Sequence, residues 1–385
     1  MIDALTPRTG ACTAPAEHRL PVSSRLSVLA MGAWFRNTVC ASHDGLAWIS
    51  RSVGDLRDVA ACSAHETTAR ALLAALPAPP RAIAHDLHPD FHSTRFGLEL
   101  AAELGIPAFG IQHHHAHIMA VCAEHGFDAP VIGLALDGVG LGTDGTAWGG
   151  ELLQVRGPHC TRLGHLRPLA MPGGDRATME PWRMAAAALH ALGRSGEIAA
   201  RFNGQPAARA LTGLLDRGLH CPPSSSMGRV FDAAAGLLGL CAVMQSDAQA
   251  AIELENAARR HGPAPALGEG WCITADGQLD LRPLLAWLAD CSPIPGEHTD
   301  RAAACFHATL GAALAAWLQD ASARSGINTV AVGGGCFFNA VLRADLRRHC
   351  AAAGLRLLTP RALLPGDSAI AFGQAVIAHH LLEKS

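Results

Sequence analysis

The chain of 385 residues has no tyrosine, few charged residues (16%) and no Cys-x-x-Cys pair among its twelve cysteines. The scattered cysteines argue against a structural zinc ribbon. The N-terminal stretch "MIDALTPRTGACTAPAEHRLPVSS" has no apolar run of signal-peptide length, and no stretch has the roughly 20 apolar residues of a membrane span. We therefore expect a cytoplasmic protein with free thiols and no membrane association.

The chain also has no lysine-rich or arginine-rich run, and its formal net charge is -3. A protein that binds the phosphate backbone of a nucleic acid needs a basic surface, so no nucleic-acid partner is expected. Hydrophobic residues make up 49% of the sequence, which is enough for a sizeable core. The length allows one large domain or two to three ordinary ones.

The order of predicted elements divides the chain. Residues 1–25 are rich in Pro, Ser and Thr and are predicted to be poorly ordered. Residues 26–130 begin with three short strands in "LSVLAMGAWFRNTVCASHDGLAWISRSVGDL". A helix ("AHETTARALLAAL"), a strand ("RAIAHDL"), a helix ("STRFGLELAAELG") and a strand ("IPAFGIQ") follow.

The same pattern returns in residues 131–385. Three apolar runs, "PVIGLALDGVG", "GTAWGGELLQVRG" and "CTRLGHLRPLA", precede the helix "EPWRMAAAALHALG". Residues of about 195–265 look helical and interrupt this half, and an alternating strand–helix tail follows. The repeat predicts an α/β protein with mixed sheets in two related lobes that face each other. One doubly wound sheet is the alternative, and it fits the hairpin-like triplets less well.

The stretch "IQHHHAHIMA", residues 111–120, contains four histidines in five positions. On a helix, residues four apart lie on one face, so the imidazoles of His113 and His117 could converge on one metal ion. A polar, partly solvated helix face is the alternative. With 21 histidines in the chain, a chance pair is not improbable.

Glycine-rich turns follow three predicted strands and would let backbone N–H groups approach an anion. They lie in "AMGAWFRNT", "LALDGVGLGTDG" and "VAVGGGCFFN", and none is a Walker A motif. Tight hairpins alone would explain most such glycines. The candidate nucleotide-binding residues of these turns are Gly32, Asn37, Thr38, Gly138, Gly140, Gly334, Gly335 and Asn339. We expect a side chain at position 334 to collide with a bound nucleotide.

Two further turns carry acidic residues. The segment "MPGGDRATMEPWRM" contains Gly173, Gly174 and Asp175, which add to the candidate binding residues, although a loop and an ordinary helix start also explain it. In "LPGDSAIAFGQA", Asp367 comes just before a helix, where a capping residue is the simpler interpretation.

Several motifs together resemble the HypF family, the carbamoyltransferases of [NiFe]-hydrogenase maturation. They include "IQHHHAH", "LALDGVGLGTDGTAWGGE", "SSSMGRVFDAAAGLLGL", "VAVGGGCFFN" and "LLPGDSAIAFGQA", in the family's order, between about residues 26 and 380. The resemblance implies a Kae1-like fold of the actin/Hsp70/sugar-kinase type, with a nucleotide in the cleft between two lobes. Longer members carry acylphosphatase, zinc-finger and YrdC-like domains, which this sequence does not match.

The resemblance also implies an activity. In the family, carbamoyl phosphate and ATP give carbamoyl-adenylate, and the carbamoyl group passes to the C-terminal cysteine of the partner HypE. The implied cofactors are ATP or an adenylate, with Mg as an option, and a metal, Fe or Zn, which suits N/O ligands. The implied metal ligands are His113, His117, Asp137 and Asp367. The implied catalytic residues are Asp137, Asp247 and Arg36.

The chain departs from the family pattern at a few positions. Gly333 and Phe338 stand where the family usually has Ser and Gln, and Arg36 replaces a Lys. The family's Tyr-Glu-Gly-Gln-Ala-Ala is here Ser246-Asp247-Ala248-Gln249-Ala250-Ala251. Two other functions stay open at this stage, a tRNA threonylcarbamoyl transferase of the same fold and a nucleotide-binding scaffold without turnover.

Overall fold

The computed structural model describes residues 16–384 except 23, 292 and 295. Its first sheet has six strands in the spatial order β1-β4-β3-β2-β5-β6. Those strands are β1 (Ala16–Arg19), β2 (Ser27–Ala30), β3 (Cys40–His43), β4 (Leu46–Ile49), β5 (Pro80–Asp86) and β6 (Ala108–Ile111). Strand β3 is antiparallel to β2 and β4, whereas β5 runs parallel to β2 and β6.

The second sheet has seven strands, with the order β10-β11-β8-β7-β14-β15 and β9 paired to β8, and β12 and β13 form a separate hairpin. The strands are β7 (Val131–Leu141), β8 (Ala147–Arg156), β9 (His159–His165), β10 (Leu169–Ala170), β11 (Pro223–Ser224), β12 (Cys272–Ile273), β13 (Leu279–Asp280), β14 (Thr329–Gly333) and β15 (Arg356–Leu358). Strand β8 is antiparallel to β7 and β9, and β14 is parallel to β7 and β15.

The two sheets share one topology. The order β4-β3-β2-β5-β6 in the first sheet corresponds to β9-β8-β7-β14-β15 in the second, with the same strand directions. Parallel neighbours need a crossover connection, which helices provide in both halves. The predicted duplication in a two-lobed α/β fold is therefore confirmed.

Thirteen α-helices and three short 3₁₀ helices connect these strands in the described part of the chain. The α-helices are α1 (Val59–Ala75), α2 (His92–Leu104), α3 (His113–Glu124), α4 (Arg176–Met179), α5 (Pro181–Ala191), α6 (Ile198–Arg201), α7 (Ala208–Asp216), α8 (Met227–Leu237), α9 (Gln249–His261), α10 (Arg282–Asp290), α11 (Glu297–Ser325), α12 (Ala340–Ala352) and α13 (Ile370–Leu382). The 3₁₀ helices are Ser195–Glu197, Gly335–Phe338 and Asp367–Ala369.

Helices α3 and α13 hold equivalent places in the two halves and pack against each other. Helix α3 follows the first sheet but packs on β7 and β14 of the second, and α13 packs on β2 and β5 of the first. A Cβ atom at Gly373 would lie 1.9 Å from the carbonyl oxygen of Ala116, so the helices cross at backbone contact. This crossing brings the histidines of α3 to the end of β7.

Helix α11 is long and apolar enough, by length and composition alone, to cross a membrane. However, 83% of its most apolar 18-residue window is buried inside the fold. Its Phe306 and Trp317 side chains belong to a core that also contains Trp182 and Phe231. A core helix of a globular fold accounts for this composition.

The N-terminal segment differs in part from the sequence prediction. Residues 1–15 and 23 of the segment predicted to be poorly ordered lie outside the described residues. Ala16–Arg19 form β1, which pairs antiparallel with Leu46–Ile49. Backbone hydrogen bonds to an exposed sheet edge add a strand without requiring an apolar sequence, and composition alone does not reveal such pairing.

Candidate metal centre

Two histidines of α3, Asp137 of β7 and Asp367 of the last 3₁₀ helix converge where the halves meet. The Nε2 atoms of His113 and His117 lie 3.3 and 3.0 Å from Oδ2 of Asp137. Both Nε2 atoms lie 3.9 Å from Oδ1 of Asp367. Gln112 caps the helix, because its side chain accepts a hydrogen bond from the backbone N–H of His115 at 2.8 Å.

The spacing of these atoms fits a metal ion. One ligand atom from each of the four residues lies within 4.8 Å of all the others. In a tetrahedral site with bonds of about 2.1 Å, ligand atoms lie about 3.4 Å apart, close to the separations observed here. Two imidazoles and two carboxylates form a donor set that suits Fe or Zn. The set contains all four residues that the family resemblance implies as ligands.

Asp137 is held so that one oxygen stays available. Its Oδ1 accepts hydrogen bonds from the backbone N–H groups of Gly138 at 2.8 Å and Gly335 at 3.1 Å. The pairing of β7 with β8 shifts register between Leu136 and Gly140, which turns this segment out of the regular ladder. Oδ2 of Asp137 therefore faces the two histidines.

Asp86 is a further member of the site that the sequence analysis missed. Its Oδ2 lies 2.7 Å from Nδ1 of His113, and its Oδ1 accepts a hydrogen bond from the backbone N–H of His88 at 3.0 Å. Asp86 is fully buried at the end of β5. A carboxylate behind a ligand histidine fixes the proton on Nδ1 and leaves Nε2 free to bind. The available signal was an acid at the end of a buried strand.

The charges of the cluster shift the pKa values of its members. Burial lowers the pKa of His113, but the Asp86 and Asp137 carboxylates outweigh it and raise that pKa well above its usual value. Burial raises the pKa of Asp137, but His113 and His117 hold it well below its usual value. Burial dominates at Asp367 and raises its pKa to about 6. A cation that binds Nε2 of His113 would therefore displace the proton that the carboxylates favour on this ring.

The other two histidines of the run point away from the cluster. Nδ1 of His114 lies 3.0 Å from the side-chain nitrogen of Gln112, and Nε2 of His115 lies 2.9 Å from the carbonyl oxygen of Gly157. Both rings are buried, and burial lowers the pKa of each. His114 and His115 thus contribute packing rather than ligand atoms.

The polar side chains of the first glycine turn form hydrogen bonds within the fold. The Nδ2 group of Asn37 donates to the carbonyl oxygens of Met31 and Ala33 at 2.9 and 2.8 Å. The Thr38 hydroxyl donates to the Ser368 carbonyl oxygen at 2.9 Å. The turn at Gly32 is fixed by Gln374 of α13, whose Oε1 accepts from its N–H at 2.9 Å. These contacts tie the first half to the segment that carries Asp367.

The third glycine turn is also explained by packing. A Cβ atom at Gly334 would lie 2.3 Å from the carbonyl oxygen of Leu136, and its φ of +106° disfavours other residues. A side chain there would collide with strand β7 with or without a nucleotide, and the predicted collision with a nucleotide stays a prediction. Asn339 caps α12 by accepting from the N–H of Leu342 at 2.9 Å, and its Nδ2 lies 2.9 Å from Nε2 of His307.

The glycines close to Asp137 and the histidines differ from one another. A Cβ atom at Gly140 would lie 2.7 Å from the ring of His114, so this glycine makes room for histidines. A Cβ atom at Gly335 would lie 3.0 Å from Oδ1 of Asp137. A Cβ atom at Gly138 would meet no atom within 4 Å, although Gly138 adjoins Asp137. Gly138 therefore marks the open side of the cluster.

The remaining predicted residues lie outside the cluster. Arg36 is exposed, and its guanidinium carbon lies 5.8 Å from the centre of the Phe338 ring of the other half. The Asp247 side chain is 69% exposed and pairs with Arg57 at 3.7 Å. Gly173, Gly174 and Asp175 form a turn before α4, and Asp175 is exposed.

Comparisons with known proteins agree with this architecture. The HypF Kae1-like domain matches residues 23–124, and the second subdomain of the Kae1-like carbamoyltransferase domain matches residues 133–374. The chain belongs to the HypF family. The two matched regions correspond to the two halves of the fold, and they contain all four residues of the cluster.

Two relatives and one solved structure illustrate the extent of the match. "Carbamoyltransferase HypF2" of Cupriavidus necator is 50% identical over 378 residues, which cover 91% of this chain and 46% of that protein. "Carbamoyltransferase HypF homolog" of the same organism is 50% identical over 364 residues, 92% of each chain. A full-length HypF crystal structure in the phosphate- and nucleotide-bound form is 29% identical, with a TM-score of 0.87 over 96% of this chain and 48% of that one.

Proposed function

We propose that this HypF-family chain passes a carbamoyl group from carbamoyl-adenylate to the C-terminal cysteine of a HypE-type partner in the cytoplasm. The observation that carries the proposal is the buried cluster of His113, His117, Asp137 and Asp367 beside the open side at Gly138. Relatives that are 50% identical to the chain over the aligned residues are named carbamoyltransferases. A solved HypF structure is described as phosphate- and nucleotide-bound, which supports an adenylate as donor.

The proposed transfer reaction requires few reactive groups from the chain itself. The thiolate of the partner attacks the carbamoyl carbon, a C–S bond forms, and the C–O bond to the phosphate breaks with its electron pair leaving on AMP. An Fe or Zn ion bound to the four ligands would supply Lewis acidity for the carbonyl or phosphoryl oxygen. The chain's own residues would position this ion. Asp86 orients His113, and the N–H groups of Gly138 and Gly335 orient Asp137. The nucleophile comes from the partner, so no cysteine of this chain is required.

The test mixes the 385-residue protein with a purified partner, carbamoyl phosphate and ATP, with Mg²⁺, or with preformed carbamoyl-adenylate. Mass spectrometry of the intact partner should then detect one added carbamoyl group per chain. A partner whose terminal cysteine is replaced by serine is the control and should stay unmodified. An unmodified partner in the presence of preformed adenylate would contradict transfer.

A second measurement separates transfer from activation. We propose that the 385 residues transfer a preformed carbamoyl group but make the adenylate poorly. ATP–pyrophosphate exchange that depends on carbamoyl phosphate should be weak with this chain alone. Robust exchange would place activation in this part of the protein and contradict that division.

A further inference from the structure

Arg229 is a buried cation with unused hydrogen-bond donors. It lies on α8 and is 8% exposed, and its Nη2 lies 2.9 Å from Oδ2 of Asp232. Its Nε and Nη1 atoms have no hydrogen-bond partner among the described residues. Arg183, another buried arginine, differs because its guanidinium bonds to Glu180 and to the Pro172 carbonyl oxygen. Buried charged donors without acceptors are costly, so a position that keeps them needs an explanation.

The start of α8 is fixed against the metal cluster. The Ser226 hydroxyl caps the helix by accepting from the N–H of Arg229 at 3.2 Å. The same oxygen lies 3.0 and 2.6 Å from the carbonyl oxygens of Asp137 and Gly138. A Cβ atom at Gly228 would lie 3.0 Å from the Cα of Gly138. Arg229 therefore lies in the first turn of a helix whose start contacts the backbone of Asp137 and Gly138.

The cluster beside the start of α8 is rich in carboxylates. The carboxylates of Asp86, Asp137 and Asp367 make the cluster acidic. An anionic ligand near them needs a buried cation, and a guanidinium suits phosphoryl oxygens.

We propose that Arg229 binds a phosphoryl oxygen of the adenylate, with Asp232 holding its guanidinium in place. This assignment rests on the proposed function, because it supplies the residue that recognises the phosphate of the donor. The N-terminus of α8 adds backbone N–H groups and a favourable dipole on the same side. Arg229 then distinguishes a nucleotide from the uncharged nucleoside.

The test compares AMP with adenosine by calorimetry on metal-loaded protein at one ionic strength. The intact protein should bind AMP at least roughly tenfold more tightly than adenosine. Arg229→Gln should reduce the affinity for AMP roughly tenfold or more and leave the affinity for adenosine within about twofold. Arg229→Lys should give an intermediate loss, because the charge stays but the planar fork is gone. If the glutamine variant does not fold, the lysine variant carries the test.

The matched control is Arg201→Gln. Arg201 also has a buried Nε without a partner, but its other nitrogens donate to the carbonyl oxygens of Ala289 and Leu237. Its replacement should leave the ratio of the two affinities unchanged. Equal weakening of AMP and adenosine by Arg229→Gln, or no preference for AMP in the intact protein, would overturn the assignment. A preserved AMP preference without carbamoyl transfer would instead contradict only the proposed function.

Discussion

His113 lies between two carboxylates, with Nδ1 2.7 Å from Asp86 and Nε2 3.3 Å from Asp137. Asp86 ends β5 and Asp137 lies within β7, so each half of the duplicated fold supplies one acid. One imidazole therefore links both sheets. The first carboxylate fixes the ring and its tautomer, and the second shares the face on which a metal ion would bind.

Asp86→Asn should weaken metal binding by about 10- to 100-fold, because the amide is a poorer acceptor for the Nδ1 proton of His113. The measurement is competition with a chromophoric chelator at fixed pH. Asp90→Asn is the control, since Asp90 is exposed in the loop that follows β5. Equal affinities for the Asp86 variant and the intact protein would mean that the Asp86 contact has no effect on the site.

His113→Ala and His117→Ala should each reduce the metal content of the purified protein from about one ion per chain to near zero. Each variant removes one of four ligands, and the remaining three lie on separate elements. Elemental analysis is the measurement. His125→Gln, just after the same helix, is the control because its Nε2 contacts only the Thr359 carbonyl oxygen. Unchanged metal in the His113 variant would exclude these ligands.

Gly373→Ala should lower the free energy of unfolding by about 2 to 3 kcal/mol or prevent folding. The added methyl group would lie 1.9 Å from the carbonyl oxygen of Ala116 and force α3 and α13 apart. Denaturant titration is the measurement. The control is Gly196→Ala, where a Cβ atom would meet nothing within 4 Å, and its effect should stay within about 0.5 kcal/mol. A stable Gly373 variant would mean that the helices can separate without cost.

Stability should fall as the pH decreases from about 6.5 to 4, because two fully buried histidines remain neutral in the folded chain. Burial lowers the pKa of His65 and of His379 to about 4, against an ordinary value of 6.5. In that window the unfolded chain binds protons that the folded chain does not, so acid favours unfolding, and the full contribution is present above pH 6.5.

The size of this effect is on the order of 2 kcal/mol for each histidine at the acid end of the window. His65→Gln with His379→Gln should flatten the pH dependence of the unfolding free energy, measured by urea titration at several pH values. His190, half-buried and paired with Asp216, provides the control variant His190→Gln. Identical slopes in all three proteins would show that other groups cause the acid sensitivity.

The sequence by itself determined the local parts of this protein. Hydrophobic periodicity and turn residues located β2, β3, β4 and most later elements, because these signals act over a few residues. The spacing of His113 and His117 on one helix face is likewise local. The repeated strand triplets also indicated two related halves, and the sheet topology confirms this.

Only the tertiary structure decided which of these elements contact one another. Asp86 is 27 residues from His113, and Ser226 is 89 residues from Asp137, yet these pairs are in contact. The contact between Gly334 and the backbone of β7 at Leu136 likewise could not be read from the glycine turn alone. Such contacts depend on the crossing of α3 and α13 between the sheets. The local propensity of a segment contains no information on that crossing. Distant segments bury each other and bring their backbones into contact only when the whole chain packs.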